Sequence, residues 1–331
     1  MPEVRGFHHI TAITADAPAN VDFYGRVLGM RMVKKTVNYD SPEVYHLYYA
    51  DETGTPGSVL TFFEFPGARR GLAGAGMIHR IGWSVASQAA LDFWADRLMA
   101  EGAPVDRDAR SLRFTDREGL GLELIADDPG DPPLAAEDPA IPAEHALRGF
   151  VGVRAYSARP DATRGLLTGL LGFEADGEGS THAGPGRHAS YAIDASPATN
   201  PIQGAGTVHH VAWASPDAEH EAWHGTLSQA GLKPTPIIDR TYFQSIYFRE
   251  PGGVLFEIAT LGPGFAVDEP LDHLGESLVL PERYEAMRPY LEKSLTPVTN
   301  PRRHNPEAEG APVGSQPEPT AEPQPGGETV G

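Results

Sequence analysis

Apolar positions in the chain form short strand-like runs and longer amphipathic stretches, and the same order of segments recurs four times. The four copies open with strand-like segments at 6–14, 79–83, 149–157 and 209–213. The first and third copies align without a gap as far as a Leu-Gly pair, where the glycine suits the end of a helix. Such a repeat indicates a fold built from four equivalent units.

Each opening strand is followed by one helix and then by further strands. In the second and fourth copies we predict the helices over 87–101 and 217–230. Runs typical of strands follow the helices at 45–49, 59–63, 120–125, 245–248 and 255–259. The unit is therefore βαβββ, and we predict an α+β protein whose four modules pair into two barrel-like domains.

Proline-rich and acidic stretches mark the boundaries between regions. The stretch 127–144 has five prolines and divides the body into two halves. From 301 onward, seven prolines and five glutamates leave almost no large apolar side chains, so this stretch cannot bury enough surface to offset its ordering entropy. We predict an N-terminal domain at 5–130, a C-terminal domain at 145–265, an extension at 266–299 with a short helix opened by Pro281, and a disordered tail at 300–331.

Composition excludes several classes of site and partner. The chain has no cysteine, which rules out disulfides, thiolate metal sites and cysteine nucleophiles. Its 26 Lys and Arg against 45 Asp and Glu give a net charge of −19, which argues against nucleic acid or an anionic membrane as partner. No apolar run approaches the ~20 residues of a membrane span, and we expect a cytoplasmic protein. Any metal must be held by histidine and carboxylate.

Histidine pairs distinguish two of the four opening strands. The pairs lie at 8–9 and 209–210, whereas the other two copies have Arg80 and Gly152 at the position of the second histidine. An isolated pair would be interpreted as a surface or capping feature. A role in maintaining the fold would be expected in all four copies, so the presence of the pair in only two indicates a shared site.

Strand alternation assigns a face to each histidine. Because successive side chains point to opposite faces, His9 and His210 fall on the faces with smaller side chains, which we expect to line a cavity. We predict these two residues as metal ligands. His8 and His209 fall on the opposite faces, away from the cavity unless a β-bulge intervenes, and are supporting candidates.

A carboxylate on a neighbouring strand would complete the site. Glu257 lies within an apolar strand, where an acid is costly unless it is paired or bound to metal; a salt bridge is the alternative. Two histidines and one carboxylate are typical of non-haem Fe(II) sites, and zinc is not excluded by the spacing. Glu123 occupies the equivalent place in the second copy, and we predict that it pairs with Arg80 or a neighbour.

Two side chains that precede the carboxylate are candidates for substrate chemistry. Tyr247 could hydrogen-bond a bound phenolate or take part in acid–base steps, and Arg240 could neutralise an anion. A purely structural role remains an equal alternative for each. The other histidines, including His46, lack a repeated context, and we interpret them as ordinary.

Four segments carry a resemblance to the vicinal-oxygen-chelate superfamily, which includes glyoxalase I, bleomycin-resistance proteins and extradiol dioxygenases. The resemblance spans about 6–295, and the segments 6–11, 23–30, 33–40 and 60–66 closely resemble the subgroup of para-hydroquinone ring-cleaving dioxygenases. Common catechol enzymes take their first histidine from the third module, where this chain has Gly152. That departure favours the hydroquinone subgroup.

The resemblance implies a site and a reaction. It implies two glyoxalase-type domains, with Fe(II), or alternatively Mn(II), held between the first and fourth modules. The ligands implied are His9, His210 and Glu257, and the catalytic residues around the substrate are His8, Thr11, His209, Arg240 and Tyr247. The partners implied are a small dihydroxylated aromatic compound and O2, which would open the ring.

Two other functions on the same fold stay open. A glyoxalase-like isomerase or thiol transferase usually has a carboxylate in each contributing module, and the first module offers only Glu64. A non-catalytic binding protein of the bleomycin-resistance kind would lack the metal ligands. The oligomeric state, a homo-oligomer included, is not determined by the sequence.

Overall fold

A computed structural model describes residues 2–177, 179–182 and 184–302, and confirms the α+β fold of four βαβββ modules. The first module comprises β1 (Phe7–Thr14), α1 (Ala17–Val21), a π-helical turn (Asp22–Val27), β2 (Arg31–Asn38), β3 (Ser41–Ala50) and β4 (Val59–Glu64). The second comprises β5 (Met77–Val85), α2 (Gln88–Ala100), β6 (Asp106–Arg107), β7 (Ser111–Thr115) and β8 (Gly121–Ala126). The third comprises β9 (Phe150–Tyr156), α3 (Pro160–Gly169), β10 (Glu174–Asp176), β11 (Gly179–His182) and β12 (Ala189–Asp194). The fourth comprises β13 (Thr207–Ser215), α4 (His220–Gln229), β14 (Ile238–Asp239), β15 (Gln244–Arg249) and β16 (Leu255–Thr260).

The modules pair across the sequence halves. One eight-stranded sheet has the order β14-β15-β16-β13-β1-β4-β3-β2 and joins the fourth module to the first. The other has the order β10-β11-β12-β9-β5-β8-β7-β6 and joins the third module to the second. Each sheet therefore takes one module from each sequence half, and the halves 5–130 and 145–265 stay a prediction as domains.

An extra, unpaired residue interrupts each opening strand at the same place. In the antiparallel pair β1–β13 the register shifts at His8 and again at His209. In the pair β5–β9 it shifts at His79 and at Val151. Each is a β-bulge, which turns the local side chains away from simple alternation. The bulge is thus a feature of the module.

Large aromatic side chains fill the space behind the central strands. Phe7 stacks on Trp213 with ring centroids 4.9 Å apart, and contacts Phe150 of the other sheet edge-on at 6.1 Å. Phe150 in turn lies 5.3 Å from Trp83. All four rings are at most 2% exposed, so this cluster buries the bulky faces of both central strand pairs against each other.

The C-terminal extension differs from the single helix predicted after Pro281. A 3-10 turn (Glu282–Met287) comes first, and α5 (Arg288–Ser294) follows. Pro289 is the reason, because a proline is tolerated in the first turn of an α-helix but breaks one that runs through it. No helix in the described part of the chain is both long and apolar enough to cross a membrane.

The predicted tail starts at 300, but residues 300 and 302 still contact the body of the protein. Arg302 Nη1 bonds Glu52 Oε1 at 2.7 Å, and Asn300 Nδ2 donates to the carbonyl of Gly275 at 3.2 Å, so the chain is held against the body as far as 302. The ion pair of Arg302 with Glu52 joins distant parts of the sequence, so composition alone does not predict it. The rest of the predicted tail, 303–331, lies outside the described residues.

Candidate metal centre

Three neighbouring strands of the first sheet bring His9, His210 and Glu257 together. The two Nε2 atoms lie 3.2 Å apart, and Glu257 Oε2 lies 3.2 Å from His9 Nε2 and 3.0 Å from His210 Nε2. All three side chains are buried. These are the three residues that the sequence predicts as ligands.

The spacing of the three donor atoms fits a metal ion. An ion about 2.1 Å from each of three ligands at right angles would hold them about 3 Å apart. Glu257 Oε2 is also buried without a hydrogen-bond donor among the described residues. A buried carboxylate oxygen of this kind is costly unless a cation satisfies it. The donor set, two imidazoles and one carboxylate, suits Fe(II).

The bulge residues lie behind the two histidines that we predict as ligands. His9 Nδ1 lies 2.9 Å from His8 Nδ1, and His210 Nδ1 lies 2.8 Å from His209 Nδ1. A proton donated from each ligand's Nδ1 leaves its Nε2 lone pair free for the metal. The carboxylate is held in the same way, because Ser245 Oγ donates to Glu257 Oε1 at 2.5 Å.

The charges at this cluster are those a divalent cation requires. Burial, together with the adjacent ligand imidazole, lowers the pKa of His8 and that of His209 to about 3, so both remain neutral acceptors. Burial also lowers the pKa of His210. Burial alone would raise the pKa of Glu257, but the two facing imidazoles hold it well below its usual range. The cluster therefore offers one carboxylate and two imidazole nitrogens within about 3 Å of one another.

A cleft that is partly open to solvent, with about 360 Å³ of empty space when the adjoining solvent is included, reaches His9 and His210. Its wall is aromatic and polar and comes from both modules of the first sheet. The lining residues are His9, Asn38, Tyr39, Asp40, His46, Tyr48, Phe63, His210, Arg240, Phe243 and Tyr247. An aromatic ring of substrate size would find apolar faces here, together with a few polar groups that could orient it.

Two of the predicted catalytic residues line this cavity. Arg240 Nη2 bonds Asp40 Oδ2 at 3.1 Å, and its Nε donates to Tyr247 Oη at 3.4 Å. The guanidinium also lies 5.4 Å from the centroid of the Tyr247 ring. Burial raises the pKa of Tyr247, so its phenol keeps its proton. The guanidinium thus brings a fixed positive charge to the cavity, next to the protonated phenol of Tyr247.

The other three predicted catalytic residues lie beside the cavity rather than in its lining. His8 packs edge-on against Phe243 with centroids 4.8 Å apart, and His209 contacts Phe63 at 5.5 Å. Thr11 Oγ1 lies 2.7 Å from Thr61 Oγ1. A direct role of these three residues in catalysis stays a prediction.

His46 is a cavity residue that the sequence interpretation missed. Its Nδ1 lies 2.8 Å from Tyr48 Oη and its Nε2 lies 2.9 Å from Thr61 Oγ1. The interpretation as an ordinary histidine relied on repetition, and this histidine belongs to one module only. The available signal was its alternation with Tyr48 on β3, which places both side chains on one face.

Comparison with known proteins agrees with this architecture. The model of the Glyoxalase/Bleomycin resistance protein/Dioxygenase superfamily matches residues 6–132 and 150–258. A crystal structure of a provisionally assigned dioxygenase from Bacillus subtilis covers 91% of this chain and 99% of its own, at 38% identity and a TM-score of 0.84. Glyoxalase I from Zea mays is 13% identical with a TM-score of 0.54 over 77% of this chain and 92% of its own, which is a likeness of fold alone.

Two curated relatives align over most of their length. MhqA of Bacillus subtilis, provisionally named a ring-cleaving dioxygenase, is 40% identical over 314 residues, which are 89% of this chain and 99% of MhqA. The chlorohydroquinone/hydroquinone 1,2-dioxygenase of Sphingobium indicum is 32% identical over 89% of this chain and 97% of its own. The resemblance noted in the sequence is confirmed, and the chain belongs to the glyoxalase/bleomycin resistance protein/dioxygenase superfamily.

Proposed function

We propose that this protein is an Fe(II)-dependent dioxygenase that opens a hydroquinone-type aromatic ring with O2. The observation that carries the proposal is the buried donor set of His9, His210 and Glu257, whose carboxylate oxygen lacks a hydrogen-bond donor among the described residues. An aromatic-lined cavity reaches this set. The names of the relatives, which include a hydroquinone dioxygenase, support the same substrate class.

The metal would be held by the two Nε2 atoms and by Glu257 Oε2. When bound, Fe(II), or alternatively Mn(II), supplies Lewis acidity toward a substrate oxygen and a route for electrons to O2. The positions of His8 and His209 behind the ligands suit them to hold the ligand rings in orientation. A third supporting contact is the Ser245 hydroxyl on the carboxylate.

The chain's own side chains would bind and orient the substrate. Phe63 and Phe243 offer apolar faces for the ring and exclude water. Tyr247 Oη, protonated at neutral pH, would donate a hydrogen bond to a substrate oxygen as negative charge develops there. Arg240, fixed by Asp40, would stabilise the same charge.

Oxygen uptake tests the proposal directly. Protein reconstituted anaerobically with Fe(II) is mixed with hydroquinone or with catechol in oxygenated buffer, beside a matched His210→Ala variant. We expect uptake with hydroquinone and its loss in the variant. Uptake with catechol alone would keep the dioxygenase but contradict the substrate class. No uptake with either compound, despite bound metal, would favour the isomerase or transferase function instead.

A further inference from the structure

The two halves of the first sheet are related position by position, and Thr61 stands where the fourth module has its carboxylate. Two residues beyond each ligand histidine, the opening strand pairs in parallel with the strand that carries this position. Ala212 pairs with Glu257, and Thr11 pairs with Thr61. The first module therefore has a short hydroxyl side chain at the third-ligand position.

The next strand repeats the correspondence. Tyr48 pairs with Thr61 as Tyr247 pairs with the carboxylate of the fourth module. Two residues before these tyrosines, the first module has His46, whose Nε2 lies 2.9 Å from Thr61 Oγ1. The fourth module has a serine there, and its hydroxyl bonds the carboxylate. His46 is therefore within hydrogen-bond distance of Thr61 in the first module, just as the serine of the fourth module bonds the proposed carboxylate ligand.

Because of this asymmetry, no described residue supplies a ligand on one side of the donor set. A carboxylate at 61 would make the arrangement symmetric, whereas the threonine hydroxyl is already within bonding distance of Thr11 and His46. The side that faces the first module is therefore available to an oxygen atom of a bound molecule. Its wall in the cavity includes His46 and Tyr48.

We propose that Tyr48 and His46 act as a proton-accepting pair for the hydroxyl group of the substrate that enters on this side. This inference rests on the proposed function and names a role that function leaves unassigned. The substrate O–H bond breaks as its proton moves to Tyr48 Oη, and the tyrosine's own proton moves to His46 Nδ1. The products are a substrate phenolate and an imidazolium, so the net charge is unchanged.

The hydrogen bonds around the pair fit this direction of transfer. With Tyr48 donating to His46 Nδ1 over 2.8 Å, the Nε2–H donates to Thr61 Oγ1, and that hydroxyl donates to Thr11 Oγ1 over 2.7 Å. Each side-chain polar atom of this four-residue network then has a partner, and a lone pair of Tyr48 Oη remains to accept from a ligand. The tyrosine ring is fixed by Phe265, whose centroid is 5.3 Å away.

The electrostatic surroundings keep the imidazole neutral before a substrate binds. Burial lowers the pKa of His46 well below its usual value, and His9, His210 and Arg240 lower it further, opposed by Glu257. An imidazole in this state offers a free lone pair. The phenolate formed next to it would offset the cost of the charge it acquires.

The test follows the ionisation of a bound chromophore, 4-nitrophenol, which is yellow only as the phenolate. Anaerobic Fe(II)-loaded protein is titrated with it at a pH where the free compound is colourless. The variants are Tyr48→Phe and His46→Gln, and the matched control is Tyr49→Phe, whose hydroxyl bonds Asn20 in the core. Bound metal is measured for every sample.

We expect a yellow complex with wild type and with the control, and about a tenfold smaller phenolate fraction in either variant at unchanged metal content. Equal colour in all four proteins would overturn the role of the pair, as would a colourless wild-type complex. Failure of the proposed function has a different signature, namely no oxygen uptake with hydroquinone. A yellow wild-type complex that depends on Tyr48 would then support the pair without the dioxygenase.

Discussion

The two sheets share a strand order and four equivalent bulges but differ in the side chains at a few positions. In the first sheet the residues that follow the bulges are His9 and His210, and in the second they are Arg80 and Gly152. Both sheets therefore have the same bulged backbone at the centre of the sheet. Among the described residues, a group of side chains that could hold a metal ion is found in the first sheet.

The second sheet neutralises its own charges. Arg80 lies 3.8 Å from Glu123, as predicted, and Asp194 accepts from both Arg154 and His79 at 2.8 Å. In the first sheet the equivalent carboxylate oxygen, Glu257 Oε2, has the two imidazoles as its polar neighbours among the described residues. The two carboxylates therefore differ in their partner, which is an arginine for Glu123 and two imidazoles for Glu257.

Removing that carboxylate's charge should have the largest effect. We expect Glu257→Gln to weaken metal binding by more than about a hundredfold, beyond the loss usual for a supporting residue. Glu123→Gln, the matched change in the second sheet, should leave metal binding unchanged. Metal content after dialysis against a weak chelator measures both, and equal retention in both variants would contradict the assignment of the ligands.

A carboxylate at position 61 should block the open side of the proposed metal site. Thr61→Glu would place a carboxylate opposite Glu257, so we expect metal to be retained while oxygen uptake with hydroquinone falls by about a hundredfold, because the open side is filled. Thr61→Val, which removes only the hydroxyl, is the control. Undiminished uptake in the glutamate variant would mean that the substrate enters elsewhere.

The bulge histidines should differ between the sheets. His8→Gln and His209→Gln remove the acceptors behind the two ligands, and we expect each to weaken metal binding by about tenfold to a hundredfold. His79→Gln changes the equivalent bulge residue of the second sheet and should have no effect on metal. A loss of metal in all three variants would point to the bulge geometry itself as the cause.

The smallest effect concerns Asp116 in the second module, which accepts from the Tyr24 hydroxyl of the first. Burial raises its pKa from 3.8 to about 6. Between these values the unfolded chain gives up the proton first, so the free energy of unfolding falls as pH rises through this window, by about 1–3 kcal/mol. Urea denaturation on either side of the window should show this fall in wild type, reduced in Asp116→Asn. Identical pH dependence in both proteins would contradict the raised pKa.

Repetition along the sequence singled out the proposed ligands, whereas the residues of the cavity wall are not repeated. His9 and His210 recur in equivalent strands, and Glu257 is an acid in an otherwise apolar strand. The fourth module has a serine and a tyrosine at the positions of His46 and Tyr48, so the histidine–tyrosine pair is not repeated. No repeat therefore singles these two residues out. Their role depends on which strands lie side by side, and that is set by long-range register.

The bulges limited the use of alternation. Period-two alternation placed His8 and His209 on the face away from the ligands, but an extra residue at each position brings them into hydrogen-bond distance of the ligands' Nδ1 atoms. A bulge adds a single residue and leaves little trace in composition. The pairing of the first module with the fourth is likewise a matter of topology, although the family resemblance implied it.

That pairing also sets the order of events during synthesis. His9 and His210 are 201 residues apart, so at ~5–20 residues per second the first ligand leaves the ribosome about 10–40 s before the second. During this interval β1 lacks β13, its neighbour on one side. An incomplete chain cannot assemble the proposed donor set, so metal binding at this site would require that translation has reached the last module.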